Sequence, residues 1–407
     1  MFLHIDLDAF FINAARTKEP SLRGVSAAVI SGNCVDIFGD FLPPGMVLSA
    51  SYEARAKGIK CTMQAATAQK IDPQIKLVST DFALYKKLSK EVFNVLYDYT
   101  NEIEKYSIDE YFLDLRGTSW DNEPSALASI IKNRIEKGLT LPCSLGTAPH
   151  KWWAKLATSL AKPVGIKHIS SFDEISSVLL RDFAGAGKAS LDKLNKEGII
   201  TLNDAKNSRP SFERLGKAGL SLWEHICGSS GDYLRKENAP KSLSIARTFE
   251  RVFDRAELKR RIRILAKHLH IDLAEQNLVP KKLEIRFAYE HSKTTSHTFS
   301  ADKEFTQTTL ASEFWQSFCA LDNSPKLGVI YISLGSSDFS GQKGLFWQQK
   351  SNKQKALDDA LLKLQNKYGT GLIENSLDFM YQLQDLHIVF HIKKQIFTHF
   401  HSKKLKL

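Results

Sequence analysis

The chain is predicted to be an α+β protein of several domains. A length of 407 residues exceeds what one hydrophobic core organises. Its 43% hydrophobic and 25% charged residues are those of an ordinary globular protein. The third observation is an order of strand, helix, paired strand, helix and strand in which two strand stretches carry acids: MFLHIDLDAFF at residues 1–11 and YSIDEYFLDL at Tyr106 to Leu115. In an extended strand Leu3, Ile5 and Leu7 point into a core while His4, Asp6 and Asp8 share the other face. Carboxylates on one face repel unless a cation or basic partner compensates them. A second pair, Asp109 and Glu110, lies in the other stretch. Either pair alone is equally a solvated turn. Converging from two strands, they make an oxygen site for magnesium, which keeps water and substrate phosphates as its remaining ligands. That chemistry suits phosphoryl transfer.

The remaining elements follow in order. SAAVIS (Ser26 to Ser31) reads as a strand, GMVLSASYEARAKG passes from strand to helix, and CTMQAATAQKI is another short helix. Tyr52 and Arg55, three apart, share a helical face, and an arginine fork beside a hydroxyl suits a triphosphate. The same arginine is equally a surface ion-pair partner. DFALYKKLSKEVFNVLYDYT carries an apolar stripe at Phe82, Leu84, Tyr85, Leu88, Val92, Phe93, Leu96 and Tyr97 with lysines opposite. A helix with Ile130, Ile131 and Ile135, the strand PCSLGTA and the lysine-bearing helix KWWAKLATSLAKP follow. Residues 168–236 read as short helices, among them FAGAGKASLDKLNKEGI, whose spaced glycines precede a helix. The polar RKENAPKS is a linker. Beyond it SLSIARTFERV, KKLEIRFAYE and KLGVIYISLGSS are strands alternating with two helices, an α/β module with both helices on one face. GQKGLFWQQKSNKQK is polar except for Leu345, Phe346 and Trp347, and the helix ALDDALLKLQNKYG precedes a basic tail.

Charge and cysteine usage narrow the class. The formal charge of +11 divides as +2 over residues 1–240, +3 over 241–340 and +6 over the last 67. An acidic site inside a basic chain fits a polyanionic partner. Cys34, Cys61, Cys143, Cys227 and Cys319 show no C-x-x-C spacing, which implies neither a zinc site nor a disulfide framework. No apolar run is long enough to span a bilayer and no signal segment precedes the first strand, so a cytoplasmic protein without a membrane partner is expected.

HIDLDAFF, SASYEARAKGIKCTM, YSIDEYFLDL and CSLGTAPHKWWAKLATSLAKPVG occur in the order found in Y-family translesion DNA polymerases of the DinB type, which the chain resembles over roughly residues 1–340. The resemblance implies a right-hand polymerase: palm at 1–12 and 78–167, fingers at 13–77, a helix-hairpin-helix thumb at 168–236, a linker at 237–243, a little finger at 244–340 and a tail at 341–407. It implies two Mg2+ ions, one held by Asp6, Asp109 and the Leu7 carbonyl, the other by Asp6, Asp109 and Glu110. Asp8 is left to supporting hydrogen bonds. Phe10, Ser49, Tyr52, Arg55 and Lys162 are expected at the dNTP, with Phe11 as the steric gate against a 2′-hydroxyl; plain core packing is the alternative for both phenylalanines. Gly185, Gly187 and Lys188 would meet a DNA phosphate, and Arg247, Lys281, Lys282 and Arg286 the DNA backbone. Gln342, Leu345 and Phe346 fit the Q-x-x-L-F pattern of sliding-clamp ligands, or else anchor the chain on itself.

The expected enzyme is thus a monomer acting on primer–template DNA with low fidelity and low processivity. The rival is a non-catalytic scaffold that binds DNA or the clamp, against which the retention of Asp6, Asp109 and Glu110 speaks. The chain departs from the family pattern at Ala14 and Ala15, at Ala184, and at His150, Trp152 and Trp153.

Overall fold

A computed structural model describes residues 1–231, 233–235, 240–301, 305 and 307–340. The chain divides into two units, Met1–Asn238 and Ala239–Leu407.

The first unit begins with β1 (Phe2–Leu7), α1 (Phe10–Lys18), β2 (Ala27–Ile30), β3 (Cys34–Val35), β4 (Phe41–Leu42), β5 (Val47–Ala50), α2 (Tyr52–Ala56), α3 (Ala65–Ile71) and β6 (Lys76–Ser79). It continues through α4 (Phe82–Tyr97), β7 (Ile103–Lys105), β8 (Glu110–Asp114), α5 (Pro124–Leu139), β9 (Cys143–Ala148), α6 (Lys151–Ala161) and β10 (Ile166–His168). Four short helices close it: α7 (Lys188–Lys196), α8 (Leu202–Lys206), α9 (Arg209–Glu213) and α10 (Lys217–Cys227).

Five strands pair in the order β10-β9-β1-β8-β7, so β1 is central and antiparallel to both neighbours. Its odd residues Leu3, Ile5 and Leu7 pack with Tyr111, Leu113 and Leu145 against α4 and α5. The opposite face of β1 is covered as well, with Phe2 and His4 also buried. That face lies under α6, which contacts β9 and β1 along their length. Within α4 the stripe holds at Tyr85, Leu88, Val92 and Leu96, while its ends, Phe82 and Tyr97, are exposed. A smaller sheet, β5-β2-β6, stands beside α1, whose Ala14 is fully buried in the main core, so the departure at this position is a packing choice.

The paired tryptophans tie α6 to the short helices. Trp153 is buried, with its Nε1 donating to the Ile226 carbonyl at 3.0 Å. Trp152 stacks on His225 with centroids 4.6 Å apart and meets Phe112 edge-on. Gly146 of β9 sets how closely α6 lies on the sheet, since a Cβ there would stand 2.2 Å from the Ala154 carbonyl oxygen and 2.3 Å from the Thr158 nitrogen.

The second unit contains β11 (Ser242–Val252), α11 (Arg255–Glu275), β12 (Val279–Tyr289), β13 (Thr295–Ser300), α12 (Gln307–Leu321) and β14 (Val329–Ser340). The expected alternation holds, with β13 added, and all pairings in the order β11-β14-β12-β13 are antiparallel. Leu283, Ile285, Phe287, Ile332 and Leu334 are buried on one face, as are Leu258, Ile262, Leu265, Phe314 and Phe318 of the two helices, and the Phe287 and Phe318 rings meet at 4.8 Å. No described helix is long and apolar enough to cross a membrane. The helix expected at ALDDALLKLQNKYG and the segment with Gln342, Leu345 and Phe346 lie outside the described residues.

Replacing Gly146 with alanine forces α6 away from β9 and should lower stability by about 1–3 kcal/mol, the usual range for overpacking. Thermal unfolding of the purified variant checks this, and a midpoint equal to the parent's contradicts the close approach.

Candidate active site

The site grows from one register. Asp6 on β1 stands directly opposite Glu110, the first residue of β8, on the face that α6 covers. Adjacent residues cannot both face one way in a strand. Asp109 accordingly lies in the turn before β8, which is tied to β1 by the Leu7 N–H donating to the Asp109 carbonyl at 3.0 Å. The Asp109 carboxylate accepts from Ser107 Oγ at 2.5 Å.

Three lysines at spacings of four and seven line the sheet-facing side of α6 and its first following residue. Lys151 Nζ is 2.6 Å from Glu104 Oε2, Lys155 Nζ is 2.5 Å from Glu110 Oε1, and Lys162 Nζ is 2.7 Å from Asp6 Oδ1. Between them His4 is buried, its Nδ1 3.0 Å from Thr158 Oγ1 and its Nε2 without a hydrogen-bond partner. Burial, reinforced by Lys155, Lys162 and Lys151, holds His4 well below the ordinary histidine pKa, so the imidazole is neutral.

Burial raises the Asp6 carboxyl, and the neighbouring Glu110 adds to this while Lys162 opposes it, leaving a pKa of about 7. The main cause is the loss of hydration on a largely covered face, to which the facing Glu110 carboxylate adds. A divalent cation suits such a pair, whose donors are all hard oxygens. Asp6, Glu110, the Leu7 carbonyl and Asp109 therefore fit magnesium in kind. The expected convergence of three acids is only partly assembled, since among the described residues no three carboxylate, imidazole or thiol groups form a ligand cluster. Asp6 and Glu110 face each other, and Asp109 is engaged by Ser107.

Asp8 supports this arrangement from beneath. It is fully buried and accepts from Ser144 Oγ at 2.8 Å, the Val164 N–H at 2.8 Å and Tyr52 Oη at 3.1 Å. It thereby joins β1, β9 and α2. Burial and then the Asp8 charge push the Tyr52 hydroxyl up to about 12, so it remains a donor. The Arg55 guanidinium lies 4.8 Å over the Tyr52 ring, with Nε donating to the Ala50 carbonyl at 2.9 Å. Ser49 is buried in β5, which leaves it little surface for a ligand.

Ala9 turns the chain through a left-handed conformation, φ 43° and ψ 49°, and α1 begins at once. Phe10 is thereby buried in the core and the half-buried Phe11 stacks on Tyr85, centroids 4.4 Å apart at 10°. The packing alternative thus describes Phe10, whereas Phe11 is only half-buried between Tyr85 and Phe82. No side chain caps α1.

The remaining expected residues are distributed more widely. Gly185, with φ +97°, Gly187 and Lys188 are exposed at the start of α7. In the second unit the four basic residues are divided between the two sides of the sheet. Lys282 and Arg286 alternate with the buried Leu283, Ile285 and Phe287 and lie on the uncovered side. Arg247 pairs with the buried Ile332 and belongs to the helix-covered side; Lys281 has the parity of Leu283. Sequence reasoning assigned no role to Lys155, Lys151 or Ser144. For the lysines the signal was their spacing on one helical face.

Known proteins give this geometry its place. Models of the impB/mucB/samB family and of its C-terminal domain match residues 5–159 and 240–354. DNA polymerase IV of Oceanobacillus iheyensis is 28% identical over 92% of this chain and 90% of its own length. DNA polymerase IV of Lactococcus lactis subsp. cremoris is 29% identical over 84% of this chain and 94% of its own. A solved Y-family DNA polymerase chimera of Dbh and Dpo4 superposes with a TM-score of 0.71 at 21% identity, over 83% of this chain and 98% of that one. With both family models matched and this fold beneath them, the chain belongs to the impB/mucB/samB family, as a Y-family DNA polymerase of the DinB type.

Proposed function

We propose that the protein is a DNA-directed DNA polymerase that extends primers across damaged template by two-metal nucleotidyl transfer. The observation that carries this reading is the opposition of Asp6 and Glu110 across β1 and β8, beside the Asp109 turn. Asp6, Asp109 and the Leu7 carbonyl would hold the nucleotide-associated Mg2+, and Asp6, Asp109 and Glu110 the other. When bound, the ions supply positive charge that acidifies the primer 3′-hydroxyl and stabilises the reacting α-phosphate.

The chain's own groups do the rest. Tyr52, as a donor, and Arg55 bind the triphosphate, to which Lys162 adds a point charge. The first turn of α1, which no side chain caps, offers backbone N–H groups to the same phosphates. Tyr85 backs the Phe11 ring against the sugar. Residues 1–12 and 78–167 act as palm, 13–77 as fingers, 168–236 as thumb and 244–340 as little finger, with Lys282 and Arg286 on a DNA-facing side. Gln342, Leu345 and Phe346 would dock on a sliding clamp. The scaffold reading loses support because the facing acids and their basic partners are all present.

Asp109→Ala and Glu110→Ala should each abolish magnesium-dependent primer extension while leaving primer–template affinity near the parent's, because affinity rests on basic residues elsewhere. Extension by either variant at a rate close to the parent's would sink the site assignment.

Phe11→Ala removes the ring that Tyr85 supports and should raise ribonucleotide insertion relative to deoxyribonucleotide insertion. Single-nucleotide kinetics with both sugars measure this ratio, and an unchanged value assigns the gate elsewhere.

Large apolar side chains left in water are costly, by about 1.5–3 kcal/mol each relative to full burial. Leu345→Ala combined with Phe346→Ala should therefore remove stimulation by a loaded clamp and leave synthesis on short primers unchanged. Full stimulation of the double variant places the clamp contact in another segment.

A further inference from the structure

We propose that Lys155, together with Lys162, acts as an internal counter-ion that occupies the metal-facing carboxylates and competes with divalent cations for them. The inference rests on the metal reading of Asp6 and Glu110 and adds the positioning role of Lys155. Three observations carry it. The Lys155 and Lys162 ammonium groups lie 2.5 Å and 2.7 Å from Glu110 and Asp6 oxygens, where a second cation would face like-charge repulsion. Both lysines keep a route outward, with side chains 14% and 34% exposed, unlike Lys151 at 5% on the same helix. Lys155 Nζ also lies 4.9 Å over the ring of the exposed Tyr106 while it pairs with Glu110, so part of the ammonium's stabilisation does not depend on the carboxylate.

Chemically, the lysines balance the acids whenever no other cation is there, which spares a half-buried sheet face from unpaired negative charge. Metal entry then requires each ammonium to swing off its carboxylate. An anionic ligand that receives the freed ammonium relieves that competition, so a phosphate-bearing substrate and the cation would favour each other's binding.

The test is metal binding by the full chain without DNA or nucleotide, using Mn2+ alone and measuring the free ion by electron paramagnetic resonance. Lys155→Gln, which keeps length and removes charge, should bind Mn2+ roughly tenfold more tightly than the parent. Lys155→Arg, which keeps the charge, should bind it no more tightly than the parent. A combined Lys155→Gln and Glu110→Gln variant should lose the gain. Thermal unfolding of each variant confirms a folded chain, and Lys155→Arg keeps the comparison valid if the neutral variant is less stable. Equal or weaker Mn2+ binding by Lys155→Gln overturns the proposal. The polymerase reading fails separately, if the parent does not extend primers with magnesium.

Discussion

The structure depends on neutralising carboxylates on the inner face of a central sheet. Asp6 and Glu110 lie face to face, and their charge must be met locally because desolvating an unpaired carboxylate costs several kcal/mol. Helix α6 supplies the charge, and its position follows from that requirement. The absence of a side chain at Gly146 lets the helix settle onto β9, bringing Lys155 and Lys162 within ion-pair distance. The same helix also docks α10, through Trp153 on the Ile226 carbonyl and Trp152 on His225. Charge compensation, helix placement and the attachment of the short helices are one linked arrangement. Trp152 and Trp153, which have no functional reading in the sequence, belong to its packing side.

Much of this was legible in the residues, and the exceptions have physical causes. Alternation in MFLHIDLDAFF correctly separated Leu3, Ile5 and Leu7 from His4 and Asp6. It could not show that both sides are buried, because period two reports only that faces differ, and α6 arrives from much later in the chain. The strand YFLD was legible, whereas the turn that holds Asp109 rests on Ser107 and on the Leu7 N–H, contacts without a periodic signature. The short strands β6, β10 and β13 are set by their partners rather than by their own pattern. The face of Arg247 was not legible for a different reason: it is set by the register with Ile332, which puts it on the covered side of an edge strand.

The left-handed Ala9 shows how local strain and site geometry meet. An alanine in this region is unfavourable by about 1–2 kcal/mol, and the surrounding contacts must over-determine it. They do so on both sides. The buried Asp8 is held by Ser144, Val164 and Tyr52, and Phe10 is locked in the core. The abrupt change from strand to helix sets the Asp8 carboxylate on the Tyr52 hydroxyl and, three residues on, the Phe11 ring on Tyr85. A longer, relaxed turn would separate the carboxylate from the ring and weaken the link between charge and shape that the proposed reaction uses.

The three lysines of α6 and its C-terminal cap differ in one respect that decides their roles. Each pairs with a carboxylate through the same chemistry, yet only the Lys151–Glu104 pair is sealed, both side chains 5% exposed. Glu104 also accepts the Arg235 N–H at 2.7 Å, so breaking that pair would release the chain near the end of the first unit. A sealed pair without exchange is structural. Lys155 and Lys162 hold their partners nearer to solvent, where water can replace either group. Lysine is the appropriate residue there, because a compact ammonium on a flexible stem leaves by rotating about single bonds. A guanidinium would grip the carboxylate through two parallel bonds and give way less readily. The choice of lysine at both open pairs thus favours exchange, and the depth of Lys151 favours permanence, on the same helical face.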